Sequence, residues 1–162
     1  MSVIDDVLRR KEESGDRTPD ELAAAPSLRL AVVTCMDARI AMVEALGVRR
    51  GETHVLRNAG GTVTDDMIRS LSISQHKLGT REVVIMQHTS CGMTSVTDEE
   101  FKDELERCSG LRPTWAVEAF RDVETSVRQS VERVRHSSFL LHTDNVRGFV
   151  YDVLTSKVTE VA

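Results

Sequence analysis

Aromatic side chains are scarce in this 162-residue chain, which has one tryptophan, one tyrosine and four phenylalanines. The core must therefore be built mainly from Val, Leu, Ile, Met and Ala. Nothing resembles the aromatic platforms on which single-stranded bases stack. An excess of positive charge is missing too. Basic residues number 21 against 26 acidic ones, for a formal net charge of −5. That argues against general affinity for nucleic acid or an anionic membrane, while leaving room for a local basic patch. No apolar run approaches the ~20 residues of a spanning helix. The opening Met-Ser-Val-Ile-Asp-Asp lacks the basic-then-apolar order of a secretory signal. Cysteines are only three, an odd number, so no disulfide framework is expected. A reducing cytoplasm is the expected compartment, and no nucleic-acid or membrane partner is expected.

What the chain does have is chemistry at the ends of two apolar runs. Leu28 to Thr34 runs directly into Cys35-Met36-Asp37-Ala38-Arg39, and Val83 to Gln87 runs into His88-Thr89-Ser90-Cys91-Gly92. Both runs read as parallel strands covered on two faces, and the edge where such strands end is where ligands bind in an open α/β sheet. Two thiols and an imidazole make three good ligands for a borderline-soft metal such as zinc. Cys35, His88 and Cys91 are therefore the candidate metal ligands. The His–x–x–Cys spacing lets one turn aim both groups at one atom.

Between these fragments lies Arg57-Asn58-Ala59-Gly60-Gly61. The three blocks, in this order and spacing, resemble a β-class carbonic anhydrase of the small prokaryotic and archaeal branch. The resemblance runs from about Leu28 to Val158. It implies zinc as cofactor, and reversible hydration of carbon dioxide to bicarbonate by hydroxide generated at the zinc. It also implies a strand order 2-1-3-4, and a homodimer, or a dimer of dimers, whose sheets can run together. In that family an N-terminal helix packs on the partner subunit, and residues 1–26 suit such an arm on a single domain spanning 1–162.

Taken in order, Ser2 to Ser14 reads as a short amphipathic helix. Thr18 and Pro19 open another, to about Ala25. Ala38 to Leu46, stopped by Gly47, reads as a helix, and Thr53 to Asn58 as a strand. Thr64 caps a helix stopped by Gly79, and Thr97 with Glu100 forms a capping box for a helix to about Cys108. Pro113 and Thr114 introduce a longer helix, with Val117, Phe120, Val127, Val131 and Val134 on one stripe. Ser138 to His142 reads as the fourth parallel strand, and Val146 to Val158 as a C-terminal edge strand or hairpin. The alternation predicts a three-layer α/β fold with a mostly parallel sheet.

Asp37 and Arg39 are the candidate catalytic pair. Held by the planar fork of Arg39, Asp37 can accept a hydrogen bond from the attacking oxygen; released, it could become a fourth metal ligand. Two thiolates cancel the charge of zinc, so activity is expected to rise toward alkaline pH. Gly60 and Gly61 either contact substrate through their N–H groups or form a turn that needs small residues. Met36, Ala59, Val63, Met67 and Met93 are candidates for the pocket wall. His54, Asp65, Asp66 and His142 are candidates for a proton route, although the two aspartates also suit the first turn of a helix. The main rival reading is a hydrolase of carbonyl sulfide or carbon disulfide on the same zinc site. A second is a zinc- or bicarbonate-responsive protein without turnover. The intact Asp37–Arg39 pair argues against that second reading, because a structural zinc site closes with a fourth Cys or His.

Overall fold

The apolar runs form the middle of one sheet. Leu30–Cys35 (β1) lies between Thr53–Asn58 (β2) and Glu82–His88 (β3), parallel to both. Val146–Tyr151 (β4) runs parallel beside β3, and Val158–Glu160 (β5) closes the edge antiparallel to β4. The order is β2-β1-β3-β4-β5, as expected. The computed structural model describes residues 2–14 and 21–162.

Five α-helices, Val3–Glu13 (α1), Met42–Leu46 (α2), Asp65–Leu78 (α3), Asp98–Ser109 (α4) and Val123–Arg135 (α5), and two short 3-10 turns, Ala59–Gly61 and Gly92–Thr94, complete the described chain. On one face of the sheet, Met67, Ile68 and Leu71 of α3 and Val127, Val131 and Val134 of α5 pack on Ala31, Val33, Val83 and Ile85. On the other, Ile40 and Ala45 pack with Met86 and Tyr151. Gly148 lets α5 lie directly on β4, since a Cβ there would stand 2.5 Å from Val127 Cγ1. The helix ends follow their local signals. Thr64 accepts the Met67 N–H, Thr97 and Glu100 form a reciprocal box, and Gly47 and Gly79 close α2 and α3 in left-handed conformation. Helix α1, capped by Ser2, buries none of its residues.

Three segments depart from the sequence reading. Ser138 to His142 is not a strand. Its backbone is satisfied from the side, by the buried amide of Gln75. Gln75 Oε1 accepts the N–H groups of Leu141 (2.8 Å) and His142 (2.9 Å), and Nε2 donates to the His142 carbonyl (2.8 Å). The fourth parallel strand is β4 instead. The stretch 111–122 is not helical: α5 begins after Asp122, whose side chain caps it. Helix α2 starts only at Met42, because residues 37–40 turn around the Asp37 carboxylate. Of the second predicted helix, Thr18 and Pro19 lie outside the described residues, while 21–25 are irregular.

One side chain organises the irregular 111–122 stretch. Asp98 accepts the N–H groups of Val117 (2.9 Å), Glu118 (3.4 Å) and Ala119 (2.9 Å). Burial pushes the Asp98 carboxyl up, but these three amides outweigh it and hold the group below its ordinary range. Asp98→Ala is therefore expected to cost about 2–3 kcal/mol at pH 7, the scale of hydrogen bonds to a charged group. A depressed folded-state pKa gives a contribution that is complete above the unfolded value and is lost as pH falls through the folded one. Urea unfolding of both proteins at pH 7 and in strong acid checks this: the gap should close in acid. A gap equal at both pH values would remove the ionic role assigned to Asp98.

Candidate metal centre

Because β1 and β3 are parallel neighbours, with Thr34 opposite Met86, their last residues emerge at one edge of the sheet. Cys35 ends β1 and His88 ends β3. Cys91 is brought back by a tight turn through Thr89 and Ser90. Ser90 sits at φ +54°, a conformation that costs a non-glycine residue roughly 1–2 kcal/mol. The turn is anchored where the Thr89 N–H donates to the Tyr151 carbonyl at 3.0 Å. The two sulfurs and a ring nitrogen of His88 all lie within 4.8 Å of one another, and all three residues are buried.

The donor set fits a metal ion on an observation internal to the site. His88 Nδ1 lies 2.9 Å from the Thr89 carbonyl, which can only accept. Nδ1 therefore carries the proton, and Nε2 presents its lone pair toward the cysteines. Nε2 is buried and has no hydrogen-bond partner. A buried acceptor that has no hydrogen-bond partner and faces two thiols is one that a bound metal ion would satisfy. Burial raises the Cys35 thiol pKa, but the His88 ring and the backbone amides of Asp37 and Gly60 outweigh it, and the net shift is downward, toward the thiolate a metal needs. Burial lowers the His88 pKa, and the facing Cys35 sulfur more than reverses this. Cys91 is pushed up, first by burial and then by the nearby Cys35.

Beside Cys35, His88 and Cys91, Asp37 and Arg39 are locked together. Arg39 Nε donates to Asp37 Oδ1 at 2.9 Å, Nη2 to Oδ2 at 2.7 Å, and the Arg39 backbone N–H to Oδ1 at 2.9 Å. Nη2 also donates to the Ser90 carbonyl at 3.0 Å. Ser90 thus ties the turn between His88 and Cys91 to the Asp37–Arg39 pair, a link its place in the sequence did not announce. The Arg39 hydrogen bonds hold the Asp37 carboxyl far below the usual carboxylate range. Asp37 Oδ2 is 3.7 Å from His88 Nε2.

The remaining candidates divide. Gly60 and Gly61 are buried at the site, at φ +79° and +66°; a Cβ on Gly61 would stand 2.7 Å from the Cys35 nitrogen. Met93 packs against the cluster holding Cys35 and Cys91, whereas Val63 and Met67 belong to the core on the α3 and α5 face, and Met36 is exposed. His54 bonds Ser74 and the Ala24 carbonyl. Asp65 pairs with Arg133 and Asp66 with Arg69. His142, expected on the ligand edge, precedes β4 instead and shares a hollow with Arg29, Lys77 and Arg81 at the start of the strands. Phe120, beside Gly60 and Met93, was not foreseen, because its position depends on the distant Asp98.

Known proteins agree with this geometry. Residues 30–161 match the family model for carbonic anhydrase. "Beta-carbonic anhydrase 1" of Mycobacterium tuberculosis is 45% identical over 161 residues, covering 99% of each chain. The crystal structure of a carbonic anhydrase from Streptococcus mutans is 39% identical, with a TM-score of 0.93 over 100% of this chain and 99% of that one. A carbon disulfide hydrolase of Acidithiobacillus thiooxidans is 36% identical over 148 residues, covering 78% of this chain and 74% of its own. Matched along almost its whole length in sequence and in fold, the chain belongs to the β-class carbonic anhydrase family.

Proposed function

We propose that this chain is a zinc enzyme interconverting carbon dioxide and bicarbonate, with Cys35, His88 and Cys91 as the protein ligands. The observation that carries this reading is the orphaned His88 Nε2 facing two buried thiols at a strand edge. Zinc held there would supply Lewis acidity and lower the pKa of a bound water, less far than in a site of three neutral imidazoles because two thiolates offset the charge of the metal. The chain's own residues do the rest. The Thr89 carbonyl fixes the tautomer and orientation of His88, and the His88 ring with the amides of Asp37 and Gly60 favours the ionised form of the Cys35 sulfur. Arg39 keeps Asp37 ionised and pointed, so that the carboxylate accepts a hydrogen bond from the attacking water and aims its lone pair. Gly60 and Gly61 border the substrate position through their backbone, since a Cβ on Gly60 would run into Phe120 and Met93 and one on Gly61 into the backbone of Thr34 and Cys35. Carbon dioxide offers no charge to grip, so the apolar surface of Met93 suits it.

The same proposal covers the whole chain. Residues 1–162 form one domain, and the N-terminal arm 1–26 packs on a partner subunit in a homodimer. In support, α1 leaves Val3, Ile4, Val7 and Leu8 between 55% and 80% exposed. In addition, β2 is paired only with β1 among the described strands, with Val43 and Val55 exposed around it. A cytoplasmic location fits the three free cysteines. Among the described residues no helix is long and apolar enough to cross a membrane.

A pH–rate profile for carbon dioxide hydration, on protein of measured zinc content, tests the activity. Rates should rise toward alkaline pH; full zinc with no hydration at any pH would end the proposal. Carbon disulfide hydrolysis is the second reading, supported by the similarity to a carbon disulfide hydrolase. Rates on carbon dioxide, carbonyl sulfide and carbon disulfide, measured side by side, decide between the two.

A further inference from the structure

The stretch 111–122 has no regular structure, yet it places a ring beside Gly60 and Met93, the neighbours of the metal centre. Three successive amides, from Val117 to Ala119, converge on the Asp98 carboxylate, the arrangement of a backbone anion nest. Glu118 takes φ +62° within it, a strained conformation that persists only where the surroundings impose it. Glu118 is held at its side chain too, by Arg133 at 3.4 Å.

The residue that follows this clip is Phe120. Its N–H donates to the Met93 carbonyl at 3.3 Å, which places it two residues from the ligand Cys91. The ring edge stands so close to Gly60 that a Cβ there would be 3.0 Å from Phe120 Cε1 and 3.1 Å from Met93 Cγ. Phe120 and Met93 both pack on the cluster that contains Cys35 and Cys91. Phe120 also borders a hollow of about 100 Å³ lined by Thr62, Ser126 and Ser130. The ring thus has open space at its border, and the clip on residues 117–119 fixes the backbone that carries it.

We propose that Phe120 is a specificity-determining residue that limits the width of molecule reaching the Cys35–His88–Cys91 site, and that Asp98 is the positioning residue that holds its ring there. What it selects, slender linear molecules such as carbon dioxide over bulkier ones, rests on the activity proposed above. The steric limit itself does not. With Phe120 reduced to alanine, the space between Gly60 and Met93 opens beside the metal position. With Asp98 removed, the ring is free to move into the hollow it borders.

Cobalt-substituted protein tests this without turnover, because visible absorption reports a molecule entering the coordination sphere. Thiocyanate serves as the slender probe and benzenesulfonamide as the bulky one. In Phe120→Ala the affinity ratio is expected to shift toward benzenesulfonamide by about tenfold or more, the discrimination a change of pocket size supplies. Asp98→Ala should shift it in the same direction by less, and Phe120→Leu by less again. A ratio within about twofold of wild type in Phe120→Ala, at full cobalt content, overturns the proposal. Should Phe120→Ala not fold, Asp98→Ala and Phe120→Leu decide: an unchanged ratio in both is equally fatal. Absence of carbon dioxide hydration in the wild type would overturn the activity and leave the probe ratio to judge Phe120.

Discussion

Cys35→Ser is expected to abolish both zinc retention and hydration while leaving the sheet intact. Serine matches cysteine in shape and occupies a position 4% exposed, so no cavity is created. An alkoxide, unlike a thiolate, does not form near neutral pH, and the site keeps only one sulfur and one imidazole. Loss of a partner outside the coordination shell already costs 10–100-fold in metal affinity, so loss of a ligand should exceed about 100-fold. The same variant gives a thermodynamic signature. Metal that binds only the folded chain stabilises it by about 4 kcal/mol at a 1,000-fold excess over its dissociation constant. Zinc should therefore raise the melting temperature of chelator-stripped wild type and leave Cys35→Ser unmoved. If the variant retained stoichiometric zinc after dialysis, Cys35 would not be a ligand.

The centre was legible in the sequence because its parts are local. Cys35 and His88 sit at the ends of continuous apolar runs, Cys91 follows one turn later, and a parallel sheet delivers the ends of neighbouring strands to one edge. Asp37 and Arg39 are two residues apart, so their pairing needed no knowledge of the fold. The misread segments share the opposite property. Ser138 to His142 has the short apolar character of a buried strand, but its hydrogen-bond partner is Gln75, 66 and 67 residues away from Leu141 and His142. Val117 and Phe120 extend the helical spacing of α5 toward its N-terminus, and Asp98 captures the amides that a helix would have used. Side-chain to backbone bonds of this kind offer the chain an alternative to regular structure, and no periodicity records them. With the helix lost, Phe120 reaches the site, which is why the wall beside the ligands was the least readable part of it.

Arg39→Ala is expected to separate metal binding from turnover, the reverse of the ligand variant. Arg39 is the only partner the Asp37 side chain has for hydrogen bonding among the described residues, and it engages both oxygens. Without it, a carboxylate whose Oδ2 already lies 3.7 Å from His88 Nε2 is free to turn toward the ligands and complete the donor set. Zinc content should hold or rise, while hydration falls by roughly 10–100-fold, the range seen when an orienting partner of a metal site is removed. Arg39→Lys should fall between the two proteins, because an ammonium supplies charge without the two-pronged fork or the reach to the Ser90 carbonyl. Double substitution of Arg39 and Asp37 by alanine supplies the control: with no carboxylate left to occupy the position, cobalt-substituted protein should again take up thiocyanate, as Arg39→Ala does not. Loss of zinc in Arg39→Ala in step with its activity would show that Arg39 supports the fold of the ligand turn through Ser90, and that restraint of Asp37 is not its task.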